Sequence, residues 1–182
     1  MPSTRDRAVD AALSLVGEEG IRALTHARVD DRAGLARGST SNWFRTRDAL
    51  LAGVIDGLAE RERSDLARGE SPAIESPEHL VEALTAMIVA QTGPLATRTR
   101  ARYALFAEAA GDIELLAPLI RQRAAFVEWT AGLLADIGAP HPDEAVRTLM
   151  ATLDGLVLHR VTVDPDAEIR PVVVRAVRAS CD

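Results

Sequence analysis

The stretch from Thr25 to Leu51, THARVDDRAGLARGSTSNWFRTRDALL, constrains this chain more than any other. It reads as a short helix, a tight turn, a second short helix and the capped start of a long third one. Ala33-Gly34-Leu35 holds the turn, because glycine takes the positive φ that a sharp helix-to-helix reversal needs. Arg37 to Trp43 is a brief helical segment of small and polar residues that closes on Trp43 and Phe44. Thr46 is placed to cap the next helix, with Asp48 in its first turn, where the positive end of the helix dipole favours a carboxylate. A helix that short, with such small side chains, has little to give a core and suits lying against another surface.

The remaining periodicities are helical as well. Residues 3–19 carry Ala8, Val9, Ala12, Leu13, Leu15 and Val16 at steps of three and four, with Ser3 or Thr4 as the cap. Thr25 caps a helix from about His26 to Ala33, with Val29 and Ala33 inward. The long helix from Arg47 to about Arg68 has a stripe of Leu50, Leu51, Val54, Ile55 and Leu58. GESPAIESPEH (69–79), with Pro72, Pro77 and a capping Ser76, is the clearest break. Helices are then expected over 78–92, 97–110, from Gly111 to Ile137 with an interruption or kink near Pro118, from a cap at Asp143 to about Thr162, and over 168–179. The last carries Val172, Val173, Val174 and Val177, a β-branched run that has no partner strand and so reads as helix. The expected class is all-α, with about nine helices: an N-terminal three-helix unit over 1–48 and a helical bundle over 49–182.

Composition sets the outer limits. Apolar residues make up 47% and charged residues 26%, the balance of a soluble globular chain and not of a disordered one. Cys181 is the single cysteine, so no intramolecular disulfide can form. No apolar run reaches the roughly 20 residues of a membrane span, and no signal-peptide core opens the chain. A cytoplasmic location is the expectation. The net charge of -6 is unevenly spread: residues 1–50 hold eight arginines against seven carboxylates, and the excess of acid lies beyond them. That split permits a nucleic-acid-binding head on an acidic body. Every basic residue outside the histidines is arginine, for which a GC-rich genome is a sufficient cause.

Enzymatic chemistry finds little support. His26, His79, His141 and His159 lie in separate segments without metal-ligand spacing, and there is no CxxC pair or glycine-rich phosphate loop. No metal or cofactor is expected. Glu18-Glu19 and Asp30-Asp31 read as solvated helix faces, since charges generally stay exposed.

Thr25, Ala33-Gly34, Gly38, the Trp43-Phe44 pair and Thr46-Arg47-Asp48-Ala49-Leu50-Leu51 together resemble the DNA-binding segment of the TetR (tetracycline-repressor-like) family of transcriptional regulators. The resemblance covers roughly residues 5–55, Ala11-Ala12 and Gly20 included. Three positions depart from the family pattern: Ser41 stands where tyrosine is usual, Asp30 where a small alanine is usual, and Arg47 where lysine is usual.

The resemblance implies a helix-turn-helix whose second helix enters the major groove of an operator. Arg37 is then placed for guanine and Asn42 for adenine. Gly38 lies early in the reading helix, and Ser39, Thr40 and Ser41 are candidates for bases, thymine methyls or phosphates. Arg28, Arg45 and Arg47 are candidate phosphate clamps. Phe44 packs inward, and Trp43 either does the same or lies along the phosphate–sugar edge. The family also implies a body that binds a small effector and forms a homodimer. Met87, Gln91, Tyr103, Phe106, Phe126 and Trp129 are the candidate effector residues, suited to an apolar molecule of modest size. The helices over 119–137 and 143–162, with Ala124, Ala131, Gly132, Ala151 and Gly155, are the candidate dimer face. The expected function is a repressor released from a palindromic operator by its effector. The alternative is a helical ligand-binding or interaction protein whose head no longer reads DNA, and an all-helical enzyme ranks below both.

Overall fold

A computed structural model describes residues 3–68 and 74–181. Among them there are nine α-helices and no strand: α1 (Thr4–Glu19), α2 (His26–Ala33), α3 (Ser39–Trp43), α4 (Arg47–Arg68), α5 (Pro77–Thr92), α6 (Ala96–Glu108), α7 (Ile113–Asp136), α8 (Pro142–Thr162) and α9 (Arg170–Cys181), with a single 3-10 turn at Ile21–Ala23. The expected all-α class with about nine helices is what forms. The Pro72 part of the expected break, residues 69–73, lies outside the described residues.

Local chemistry explains most of the boundaries. Ser3 caps α1 in a reciprocal box with Asp6, which satisfies donors that a helix start otherwise leaves open. Thr25 accepts from the Arg28 amide, Thr46 from the Ala49 amide, and Ser76 from the His79 amide. Each is a hydroxyl cap read correctly from the sequence. Other boundaries shift. The reading segment begins at Ser39 instead of Arg37, because Gly38 at φ 87° is still in the turn. Helix α8 starts at Pro142 with His141 at the cap position, so Asp143 sits inside the first turn instead of capping it. Helix α7 runs through Pro118 without interruption, started by Asp112, which accepts from the Leu115 amide at 2.9 Å. The valine-rich α9 is helical because Val173 and Val177, four residues apart, are both fully buried.

The chain forms two compact units, Met1–Arg68 with Thr97–Gln122, and Gly69–Ala96 with Arg123–Asp182. In the first, α1, α2, α3 and α4 pack around Val9, Leu15, Leu24, Leu50, Ile55 and Leu58, joined by Leu105 of α6 and Leu119 of α7. The helices approach closely where glycine allows it: a Cβ on Gly17 would lie 2.0 Å from the Thr97 carbonyl oxygen, and one on Gly57 would lie 2.3 Å from Val9. Helix α6 is laced to α4 by ion pairs of Arg98 with Asp65, Arg102 with Glu62 at 2.5 Å, and Arg47 with Glu108 at 3.5 Å. In the second unit α5, α8 and α9 pack together over Leu80, Leu84, Ile88, Leu149, Leu153 and Val173. Arg170 at the start of α9 holds Glu78 and Glu82 of α5.

Candidate nucleic-acid interface

Two glycines shape the turn. Gly34 ends α2 at φ 61°, ψ 39°, and its amide reaches back to the Asp31 carbonyl, so the chain leaves α2 by a left-handed step. Gly38 makes a second left-handed step and hands the chain to α3. Between them the unpaired ends of both helices are met by opposite charges. Arg7 of α1 donates to the carbonyls of Ala33 and Gly34, at 2.7 and 3.3 Å, where the negative end of the α2 dipole lies. Asp30 accepts from the amides of Gly38 and Thr40, both at 2.8 Å, and from the Thr40 hydroxyl at 2.6 Å, at the positive end of α3.

That arrangement corrects two expectations. Asp30 is not on a solvated face: it is 1% exposed. Thr40 is not available to bases or phosphates: it is 0% exposed, with its hydroxyl turned inward onto Asp30. Burial alone pushes the Asp30 carboxyl toward protonation. The bonds from the Thr40 hydroxyl, the Thr40 amide and the Gly38 amide, with the nearby His26, outweigh it and hold the carboxyl below its ordinary 3.8. The carboxylate is ionised and fully bonded, the condition under which a buried charge is tolerated.

The far end of α3 is tied as well. His26 Nε2 donates to the Phe44 carbonyl at 2.6 Å. Phe44 is buried with its ring against Gly53, where a Cβ would come within 2.1 Å, and Arg5 lies 5.7 Å from the ring centroid. Thr40 and Phe44 are therefore the inward positions of this segment.

The outward side holds most of the expected DNA-contacting set. Arg37, Gly38, Ser41, Asn42, Arg45 and Arg47 are exposed, and Ser39 is half-buried. Trp43 is 54% exposed, which rules out the core role left open for it. Arg28 is exposed but paired with Glu19, while Arg32 beside it holds Glu18 and Glu19 at 2.7 and 2.9 Å. Arg28 must give up that carboxylate before it can clamp a phosphate. Arg47 faces the same competition from Glu108.

Three residues that brace the site were missed by sequence reasoning: Asp30 and Arg7 as charges at helix ends, and His26 as a tie. His26, Asp30 and Ala33 fall at steps of four and three, so all three share one face of α2. That spacing was the available signal. Arg7 had none, because its partners are backbone carbonyls 26 and 27 residues away.

The expected effector residues divide between the units. Phe106 and Tyr103 are half-buried in the first, Phe106 packed against its core. Met87, Gln91, Phe126 and Trp129 belong to the second. Of these the structure brings together Phe126 and Trp129, whose ring centroids are 5.6 Å apart at an interplanar angle of 33°. No single helix among the described residues is long and apolar enough to cross a membrane.

A family model described as tetracyclin repressor-like, C-terminal domain, matches residues 75–179. The chain is 30% identical over 113 residues to the HTH-type transcriptional repressor KstR of Rhodococcus jostii (strain RHA1), a match covering 61% of this chain and 52% of that protein. It thus spans about half the length of that curated relative. Among solved structures, a member of the TetR family from Streptomyces coelicolor A3 is 27% identical with a TM-score of 0.70, covering 100% of this chain and 99% of that one. The multidrug binding protein EbrR in complex with ethidium is 30% identical with a TM-score of 0.65, covering 96% of this chain and 98% of that one.

Proposed function

We propose that this chain, which belongs to the TetR family of transcriptional regulators, reads a palindromic DNA operator as a homodimer and represses transcription until a small effector releases it. The observation that carries the DNA reading is the outward face of α3 and its flanks. Arg37, Ser41, Asn42, Trp43, Arg45 and Arg47 are exposed there, on a segment whose inward side chains are fixed. Arg37 and Asn42 are assigned to base edges, Ser39, Ser41 and Trp43 to bases or the adjoining backbone, and Arg28, Arg45 and Arg47 to phosphates. The backbone of Gly38 lies at the entry to this surface. Reading is assigned to residues 1–48, and sensing and dimerisation to 49–182.

The effector is taken as an apolar molecule of modest size, and the Phe126–Trp129 pair is the aromatic surface that favours it. A related multidrug binding protein is complexed with ethidium, a flat aromatic cation, which supports an aromatic sensing surface. Met87 and Gln91, which lie in the same unit as the Phe126–Trp129 pair, remain assigned to effector sensing. Effector binding is proposed to move α4, one continuous helix from Arg47 to Arg68, and so to change the spacing of the two heads of the dimer. No cofactor or metal is invoked, and the compartment is the cytoplasm.

Titration of the protein against DNA upstream of its own gene, followed by mobility shift at two salt concentrations, tests the reading. Affinity for one site should exceed that for a scrambled duplex and fall as salt rises, through counterion release. Binding that is equal on both duplexes would leave the alternative, a helical ligand-binding protein with a silent head.

A further inference from the structure

Helix α3 has five residues, too few to hold a helical conformation by its own hydrogen bonds. Its geometry must come from what it is fastened to. Both fastenings lie on one face of α2, four residues apart: Asp30 at the start of α3 and His26 at its end. Asp30 uses both carboxylate oxygens, one for the Gly38 amide and the other for the amide and hydroxyl of Thr40.

We propose that Asp30 is a positioning residue for DNA reading: through Gly38 and Thr40 it sets the angle at which α3 presents Ser41, Asn42 and Trp43, with His26 fixing the opposite end. The proposal rests on the DNA-reading function stated above. Two features make Asp30 more than a filler of space. A carboxylate 1% exposed beneath a surface meant for polyanionic DNA carries an electrostatic disadvantage that an apolar side chain would avoid. It is tolerable where the charge does local work on donors that nothing else reaches. Thr40, which lies within the reading helix, also turns its hydroxyl inward to complete the carboxylate's shell. One potential contact to DNA is given up to hold the others in place. The Gly38 and Thr40 amides, being occupied, are likewise withdrawn from phosphate.

A structural role alone predicts lower stability and equal weakening on every duplex. A positioning role predicts loss of discrimination, because base contacts depend on angle while phosphate contacts tolerate small rotations. The full-length chain and its variants Asp30→Ala, Asp30→Asn, Thr40→Val and Thr40→Ser should be titrated against two probes. One is a duplex selected in vitro by the wild-type protein from a random library, and the other a scrambled duplex of equal composition. Asp30→Ala and Thr40→Val should lose about tenfold or more on the selected duplex, the scale of one lost base contact, and stay within about threefold on the scrambled one. Asp30→Asn should fall between, since its amide nitrogen turns a donor toward the Gly38 amide. Thr40→Ser, which restores the hydroxyl, should bind both within about threefold of wild type.

Amide exchange by NMR in the free proteins gives a readout that needs no DNA. In Asp30→Ala the Gly38, Thr40 and Asn42 amides should speed up by a larger factor than those of Leu15 and Val54, which report only the change in global stability. An unchanged ratio of selected to scrambled affinity in Asp30→Ala and Thr40→Val overturns the proposal, and so does exchange in α3 that speeds up by no larger factor than at Leu15 and Val54. Should Asp30→Ala not fold, Asp30→Asn and Thr40→Val decide by the same two criteria. If the wild-type chain selects no duplex, the DNA-reading function fails by itself. The exchange rates then still report whether Asp30 holds α3.

Discussion

At Asp30, burial and hydrogen bonding act on one carboxyl in opposite directions, and bonding prevails. The folded chain therefore holds that proton less tightly than the unfolded chain, whose carboxyl titrates near 3.8. The resulting stabilisation is complete above that value and is lost as pH falls through the depressed folded-state value. Urea melts should show wild type losing stability more steeply than Asp30→Asn below about pH 4, while the offset between them stays constant at neutral pH. Parallel losses would mean the carboxylate is not what holds α3. On the outer face the arginines separate by role. Arg47→Ala should weaken binding to all duplexes alike and reduce the salt slope by about one, as loss of a phosphate contact does. Arg37→Ala should instead relax preference at a single base pair, measured by affinity across a set of single-site operator variants. Uniform weakening would place Arg37 on a phosphate.

Helix α4 shows how an element's packing can override its intrinsic preference. Gly53 lies in its interior, where alanine is the better helix former by about 1 kcal/mol. A Cβ there would sit 2.1 Å from the Phe44 ring. Phe44 cannot yield easily, since its backbone is tied to His26 and its side chain is buried in the head. Gly53→Ala should therefore destabilise the protein by about 1–3 kcal/mol, the range for an overpacked core, and lower operator affinity by shifting Phe44. A thermal melt no lower than wild type would show that the ring has room to move. The cap of α5 is a simpler case: Ser76→Ala should cost about 1 kcal/mol, read from denaturant midpoints, because Ser76 satisfies the His79 amide and nothing more distant.

At the scale of the whole molecule, the question is what covers the outer faces of α7 and α8. Ala151, Gly155 and Leu158 are exposed and share one side of α8 by steps of four and three. A Cβ on Gly155 or on Gly132 of α7 would meet no atom within 4 Å. The small exposed residues Ala151 and Gly155 beside Leu158 permit close approach of a second copy, and a two-fold pairing of helices is the form that the proposed homodimer takes. Gly155→Arg should then convert a dimer to a monomer in sedimentation equilibrium while leaving the helical content by circular dichroism unchanged. It should also weaken operator binding by about tenfold or more, because one head alone reads one half-site. A variant that remains dimeric would move the interface elsewhere.

The sequence by itself determined the helical class, the order of the helices and most of their caps, because these depend on contacts within four residues. Ser3, Thr25, Thr46 and Ser76 each act on an amide three positions ahead. It also determined the turn at Gly34, whose positive φ is a property of that residue's backbone. Tertiary structure alone decided which polar residues of the head face inward. Asp30 and Thr40 look like surface residues by composition, and α3 is too short for periodicity to assign its faces. Their burial follows from packing of α2 against α3, where two amides and a hydroxyl converge on one carboxylate. Hydrogen-bond satisfaction inside a packed contact, which residue type does not report, set the line between the side chains that hold the head together and those left to meet a partner.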